Sequence, residues 1–163
     1  MMIHTPEVYI GYNHLVAKSE LSDKFEVTVF TTNQDLVDNI KKASEELESD
    51  PDVSSAKKKQ GFNISPARAE DFNRMPDLPS GSYRFNVRSG FPVKILNNMG
   101  QEIEIKKNLP WGIKGKLNFK LATYFIKTTK TGGVAGYIDS IELTSEKSSP
   151  SEDLVHLDLS GLD

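Results

Sequence analysis

The chain has 163 residues, enough for one domain with appended segments, and its 37% hydrophobic and 26% charged residues leave room for a packed core. The absence of cysteine excludes disulfides, thiolate zinc sites and cysteine nucleophiles and fits a reducing cytoplasm, and no stretch approaches the roughly 18–20 apolar residues of a membrane span. The net charge of −3 hides three uneven parts: residues 1–52 carry 4 basic and 11 acidic side chains (net −7), residues 53–147 carry 16 and 8 (net +8), and residues 148–163 carry 4 acidic side chains alone (net −4). The overall pI of 5.7 therefore says little about partners, because binding depends on the field at the contact surface.

In chain order, residues 1–15 lack a basic-then-apolar leader pattern, and residues 4–16 read as loosely extended, with Tyr9, Tyr12 and His14 among them. Lys24 to Thr31 alternates and is rich in β-branched and aromatic residues, which predicts a strand. A helix over about 33–48 follows. Thr32 or Asn33 can cap it, Leu36, Val37, Ile40, Ala43 and Leu47 share one face, and Asp50-Pro51 stops it. Residues 51–81 form a long basic connection without either period, including Lys57-Lys58-Lys59. Strand-like runs then cover 82–88, 92–96, 101–106, 114–127 and 135–144, with Asn97-Asn98-Met99-Gly100 turning a hairpin and Thr131-Gly132-Gly133 read as a hinge or hairpin loop. From about residue 148 the composition shifts to an acidic, flexible tail. This order predicts a mainly β chain with one added α-helix, in which 24–31 and 82–145 form a small, partly open barrel: an OB-fold-like five-stranded antiparallel barrel or another small β-sandwich, which periodicity alone does not separate, all within a domain of residues 1–147.

Catalytic patterns are missing. His4, His14 and His156 have no metal-ligand spacing, and no Gly-Lys-Ser/Thr follows the glycines of 132–136, so neither a metal nor a cofactor is implied. Glu102 and Glu104 alternate with Ile103 and Ile105, as on a solvated strand face. The informative pattern is cations interleaved with aromatics, because a single-strand binder needs charges along the phosphates and rings against unpaired bases. Period 2 sorts Tyr83, Phe85 and Val87 to one face and Arg84, Asn86 and Arg88 to the other. Likewise Lys114, Lys116, Asn118, Lys120, Ala122 and Tyr124 share a face opposite Leu117, Phe119, Leu121, Thr123 and Phe125. Trp111, in a turn after Leu109-Pro110, is open to two readings: a core plug or a stacking platform. The candidate nucleic-acid set is Arg84, Arg88, Lys94, Trp111, Lys114, Lys116, Lys120, Tyr124, Phe125, Lys127 and Lys130. The helix has an acidic outer face (Asp35, Asp38, Glu45, Glu46, Glu48), unsuited to a major groove.

Several segments, in order, resemble the single-stranded-DNA-binding proteins of short-tailed phages of the T-seven type. They are TPEVYIGYNHLVAK, KFEVTVF, NQDLVDNIKKASEEL, YRFNV, VKILNNMGQEIE, GKLNFKLATYF and GGVAGYIDSIELTS, ahead of the acidic tail. The resemblance implies non-enzymatic, largely sequence-independent binding of single-stranded DNA in phage replication, recombination and strand annealing, in the cytoplasm of a bacterial host. It also implies a homodimer and contacts with the replicative DNA polymerase and primase-helicase through Glu152, Asp153, Asp158, Leu162 and Asp163 of the tail. In this family the matching strand lines the DNA groove, which assigns that role here to Lys116, Lys120, Tyr124 or Phe125, and Lys127, with Arg84 and Arg88 from the adjacent strand. The tail departs from the family pattern, since it has only four acidic residues and ends Gly161-Leu162-Asp163 rather than in an aromatic. The alternative is an OB-like module that docks proteins of a replication complex and binds no DNA itself.

Overall fold

A computed structural model describes residues 1–144; the predicted tail lies outside the described residues. From the amino end the elements are β1 (Met2–His4), β2 (Val8–His14), β3 (Phe25–Thr31) and α1 (Gln34–Glu48). The connection that follows holds α2 (Pro51–Ser54), β4 (Lys58–Gln60), β5 (Ser65–Pro66) and α3 (Ala69–Arg74). The remaining strands are β6 (Tyr83–Ser89), β7 (Lys94–Leu96), β8 (Glu102–Ile103), β9 (Ile113–Ile126) and β10 (Thr131–Leu143).

Strands β9, β2, β3, β6 and β10 pair in that order, and β10 returns to β9, closing an OB-like barrel with one main helix. Four joints are antiparallel and β6–β10 is parallel. A ring with an odd number of strands cannot alternate direction all the way round, so the expected antiparallel arrangement must break at one joint.

Three expectations are corrected. Residues 8–14 are a barrel strand rather than a loosely extended lead, while the β7–β8 hairpin lies outside the ring, held by β7 against β10. Gly132 and Gly133 are buried within β10 rather than forming a hinge. A Cβ at Gly132 would collide with the Asp52 carbonyl oxygen, and one at Gly133 would stand 2.5 Å from Tyr124 Oη, so close approach of α2 and Tyr124 requires glycine here. Third, the aperiodic connection 51–81 is stitched to the barrel. β4 runs parallel to β10, with Lys58 opposite Thr131, and β5 pairs with β6.

Asn33 is the helix cap: its Oδ1 accepts from the Leu36 amide at 2.9 Å, satisfying one of the open donors of α1. Leu36, Val37, Ile40 and Ala43 are buried, and Leu47 packs at the margin of the main core. That core also takes Val27, Val29, Phe85, Leu117, Phe119 and Ile141 from the barrel strands. Phe62, from the connection, joins Phe85 and Phe119 with ring centroids 5.6 and 6.3 Å away. Phe62 is partly buried there, so it gains part of the roughly 1.5–3 kcal/mol of full burial and anchors the connection to the core at this point. A second, smaller cluster of Phe30, Met75 and Leu78, with Phe72 and Trp111 against it, holds α3 on the outside of β3.

Candidate nucleic-acid interface

The outward face of β3 and β6 is the floor of a groove. Two clefts, of about 310 and 350 Å³ and each lined by both strands, share Glu26, Arg68, Arg84 and Asn86, so they form one continuous channel. The β3–β6 register places Glu26 opposite Arg88, Thr28 opposite Asn86 and Phe30 opposite Arg84, which lays these side chains side by side. The wall on one side is α3 with its preceding loop; on the other it is the β9–β10 end and Gln60 of β4.

Two arginines dominate the floor. Arg84 is largely buried (15% exposed) and pairs at 3.4 Å with Asp71, itself 7% exposed, while its guanidinium lies 5.7 Å from the Phe30 ring centre. Asp71 also accepts from the Arg68 amide at 2.8 Å, at the start of α3. One carboxylate thus caps the helix and fixes the arginine. Arg88 is exposed and sits between two rings, 5.7 Å from Tyr124 and 5.9 Å from Tyr137. Tyr124 donates its hydroxyl to Gln60 Oε1 at 2.6 Å across Gly133, which locks the ring over the sheet. On the floor between the arginines, Thr28 Oγ1 donates to Asn86 Oδ1 at 2.7 Å, leaving the Asn86 amide donors toward the groove. At the far end Arg74 lies 5.1 Å from the Trp111 ring centre, and Tyr12 meets the indole edge-on at 6.3 Å.

Of the predicted set, Arg84, Arg88, Trp111 and Tyr124 line this groove. The others do not. Lys114 stands 5.2 Å from the Tyr9 ring beside a separate cleft near the start of α1. Lys116 and Lys120 are exposed on β9, opposite Glu142 and Tyr137 of β10, and Lys94 is exposed on β7 opposite Ser140. Phe125 is 44% exposed outside the groove. Lys127 and Lys130 occupy the β9–β10 turn, where the Lys130 carbonyl accepts from the amides of Lys57 and Lys58 and gathers five lysines (with Lys59) at one tip. The tail residues Glu152, Asp153, Asp158, Leu162 and Asp163 lie outside the described residues.

Sequence reasoning left out Arg68, Arg74, Asn86, Gln60 and Tyr12 as site residues. Asn86 was readable from its place between Arg84 and Arg88. The others sit on aperiodic or bulged backbone with no period to assign them a face. Among the described residues no group of three or more His, Cys, Asp or Glu comes together to hold a metal ion, and no helix is long and apolar enough to cross a membrane.

No family model matches the chain, and no curated protein sequence does. Solved structures do. A C-terminal truncation of the single-stranded DNA-binding protein from bacteriophage Enc34 superposes with a TM-score of 0.68 at 15% identity, over 90% of this chain and 87% of that one. The same phage's protein in complex with single-stranded DNA gives 0.63 at 16% identity, over 90% and 88%. The single-stranded DNA-binding protein gp2.5 of bacteriophage T7 gives 0.58 at 15% identity, over 88% and 91%. At these identities the likeness is one of fold: nearly the whole described chain is built as these phage single-stranded-DNA-binding proteins are.

Proposed function

We propose that this chain binds single-stranded DNA, without catalysis and with little sequence preference, along the groove over β3 and β6. The observation that carries this reading is the meeting of Arg84, Arg88, Asn86 and Tyr124 on one outward barrel face, the face OB-folds use for oligonucleotides. Arg88 supplies a phosphate contact within reach of two rings, Tyr124 a stacking surface, and the lysine tip extends the positive track past the groove's end. Structures of the same fold carry this activity in their names, and one was solved with the strand bound.

The finer reading places the protein in phage DNA replication, recombination and strand annealing, as a homodimer, in the host cytoplasm. Residues 148–163 then present Glu152, Asp153, Asp158, Leu162 and Asp163 to the replicative polymerase and primase-helicase. The deciding experiment is anisotropy of labelled oligo-dT titrated with the full chain at low and moderate salt. Affinity is expected to fall steeply as salt rises, with duplex DNA a poor competitor. No binding at low salt would leave an OB-like protein-docking module in its place.

A further inference from the structure

At the far end of the groove, β2 carries a bulge: Ile10 pairs with Val29 and Asn13 with Val27, so Gly11 and Tyr12 together face the single residue Thr28. A bulge re-aims the extra side chain. Here Tyr12 is turned outward and 39% exposed, while Ile10, Gly11 and Asn13 around it are buried. The bulge is firmly built. Buried Asn13 donates to the carbonyls of Gly11 and Leu109 at 2.8 and 3.0 Å and accepts from the Leu109 amide at 2.9 Å. The Gly112 amide donates to the Ile10 carbonyl at 2.7 Å. A Cβ on Gly11 would stand 2.6 Å from the Phe30 ring, so the strand bends where only glycine fits. These bonds bring Trp111 edge-on to Tyr12, with Arg74 beside the indole.

We infer that this corner is a separate subsite for one unpaired base, which stacks on Tyr12 against the edge of Trp111 while Arg74 meets the adjoining phosphate. The inference rests on the groove reading above. The rings are already held by His14, Trp111 and the small cluster under α3, so little side-chain freedom remains to be lost when a base arrives. Stacking is tolerant of base identity, which suits a binder without strong sequence preference.

Trp111 is the sole tryptophan, so its emission reports on this corner alone. Labelled oligo-dT is titrated into the full chain with strand anisotropy and Trp111 emission recorded together. Emission is expected to change in step with anisotropy. Tyr12→Ala should weaken binding about tenfold, within the range for loss of one stacked base, and Tyr12→Phe should restore it. The salt slope should stay unchanged in both, because stacking releases no counterions. Anisotropy that reports binding while emission stays constant, or a folded Tyr12→Ala protein that binds like the parent, would overturn the subsite and leave the groove reading standing. No anisotropy change with the parent would instead remove the groove reading. If Tyr12→Ala does not fold, the paired titration of the parent decides.

Discussion

The two ends of the groove solve the same problem by different means. At the β9–β10 end a guanidinium lies between two tyrosine rings, and five lysines cluster at the adjoining tip. At the Trp111 end the rings of Tyr12, Phe30 and Trp111 lie among charges of both signs, with the arginines Arg68 and Arg74 sharing the wall with Glu70 and Asp71. The first end is built for charge and the second for contact area. The backbone devices differ as well: Gly133 lets Tyr124 lie flat across β10, whereas a bulge swings Tyr12 out of β2. A strand threaded along the channel would therefore owe its salt dependence mainly to one end and its salt-insensitive affinity mainly to the other.

Three variants probe that division. The largest effect is expected from Arg88→Ala with Tyr124→Ala, which removes a cation and a stacking ring together. Oligo-dT affinity should drop about 30- to 100-fold, and the slope of log affinity against log salt should become shallower by about 0.7, the share of one phosphate contact. Anisotropy titrations at several salt concentrations measure both, and an unchanged slope would mean that Arg88 meets no phosphate. Gly133→Ala comes next. Its methyl group must displace Tyr124 and break the bond to Gln60, so about a fivefold loss is expected, with the salt slope kept. Parent-like affinity in that variant would show the ring's placement to be immaterial. Smallest is Lys116→Ala with Lys120→Ala. These lysines stand outside the groove, where salt screens exposed charges beyond about 8 Å, and a change below about threefold is expected at physiological salt. A loss above tenfold would move the DNA path from the β3–β6 face to the outside of β9.

That last pair also marks what the residue pattern reveals. Alternation along β6 and the first part of β9 separates inward from outward side chains, with Phe85, Phe119 and Leu121 buried and Arg88, Lys116 and Lys120 exposed, but it fails at the end of β9, where Phe125 shares the face of Phe119 and Leu121 and is 44% exposed. It says nothing about which sector of a closed barrel an outward residue occupies. Lys116 and Tyr124 share a face of β9 but are eight residues apart, about 26 Å of strand at 3.3 Å per residue. One ends opposite Glu142 and the other at the groove beside Arg88. The bulge at Gly11-Tyr12 breaks the period of β2 and hides a barrel strand. In residues 51–81 the apolar side chains Phe62, Phe72, Met75 and Leu78 serve two different clusters, so no single repeat emerges although the segment is anchored.

Strand β9 pairs with β1, β2 and β10, and β10 also holds β4, β6 and β7. During synthesis, then, the first two-thirds of the polypeptide leaves the ribosome with β2, β3 and β6 able to pair but the outer edges of β2 and β6 still without partners, and such unpaired strand edges invite association with other nascent chains. Premature termination before Thr131, where β10 begins, would leave β6 and β9 unjoined and yield an open sheet rather than a weaker barrel, and such a product should be found with chaperones or in inclusion bodies.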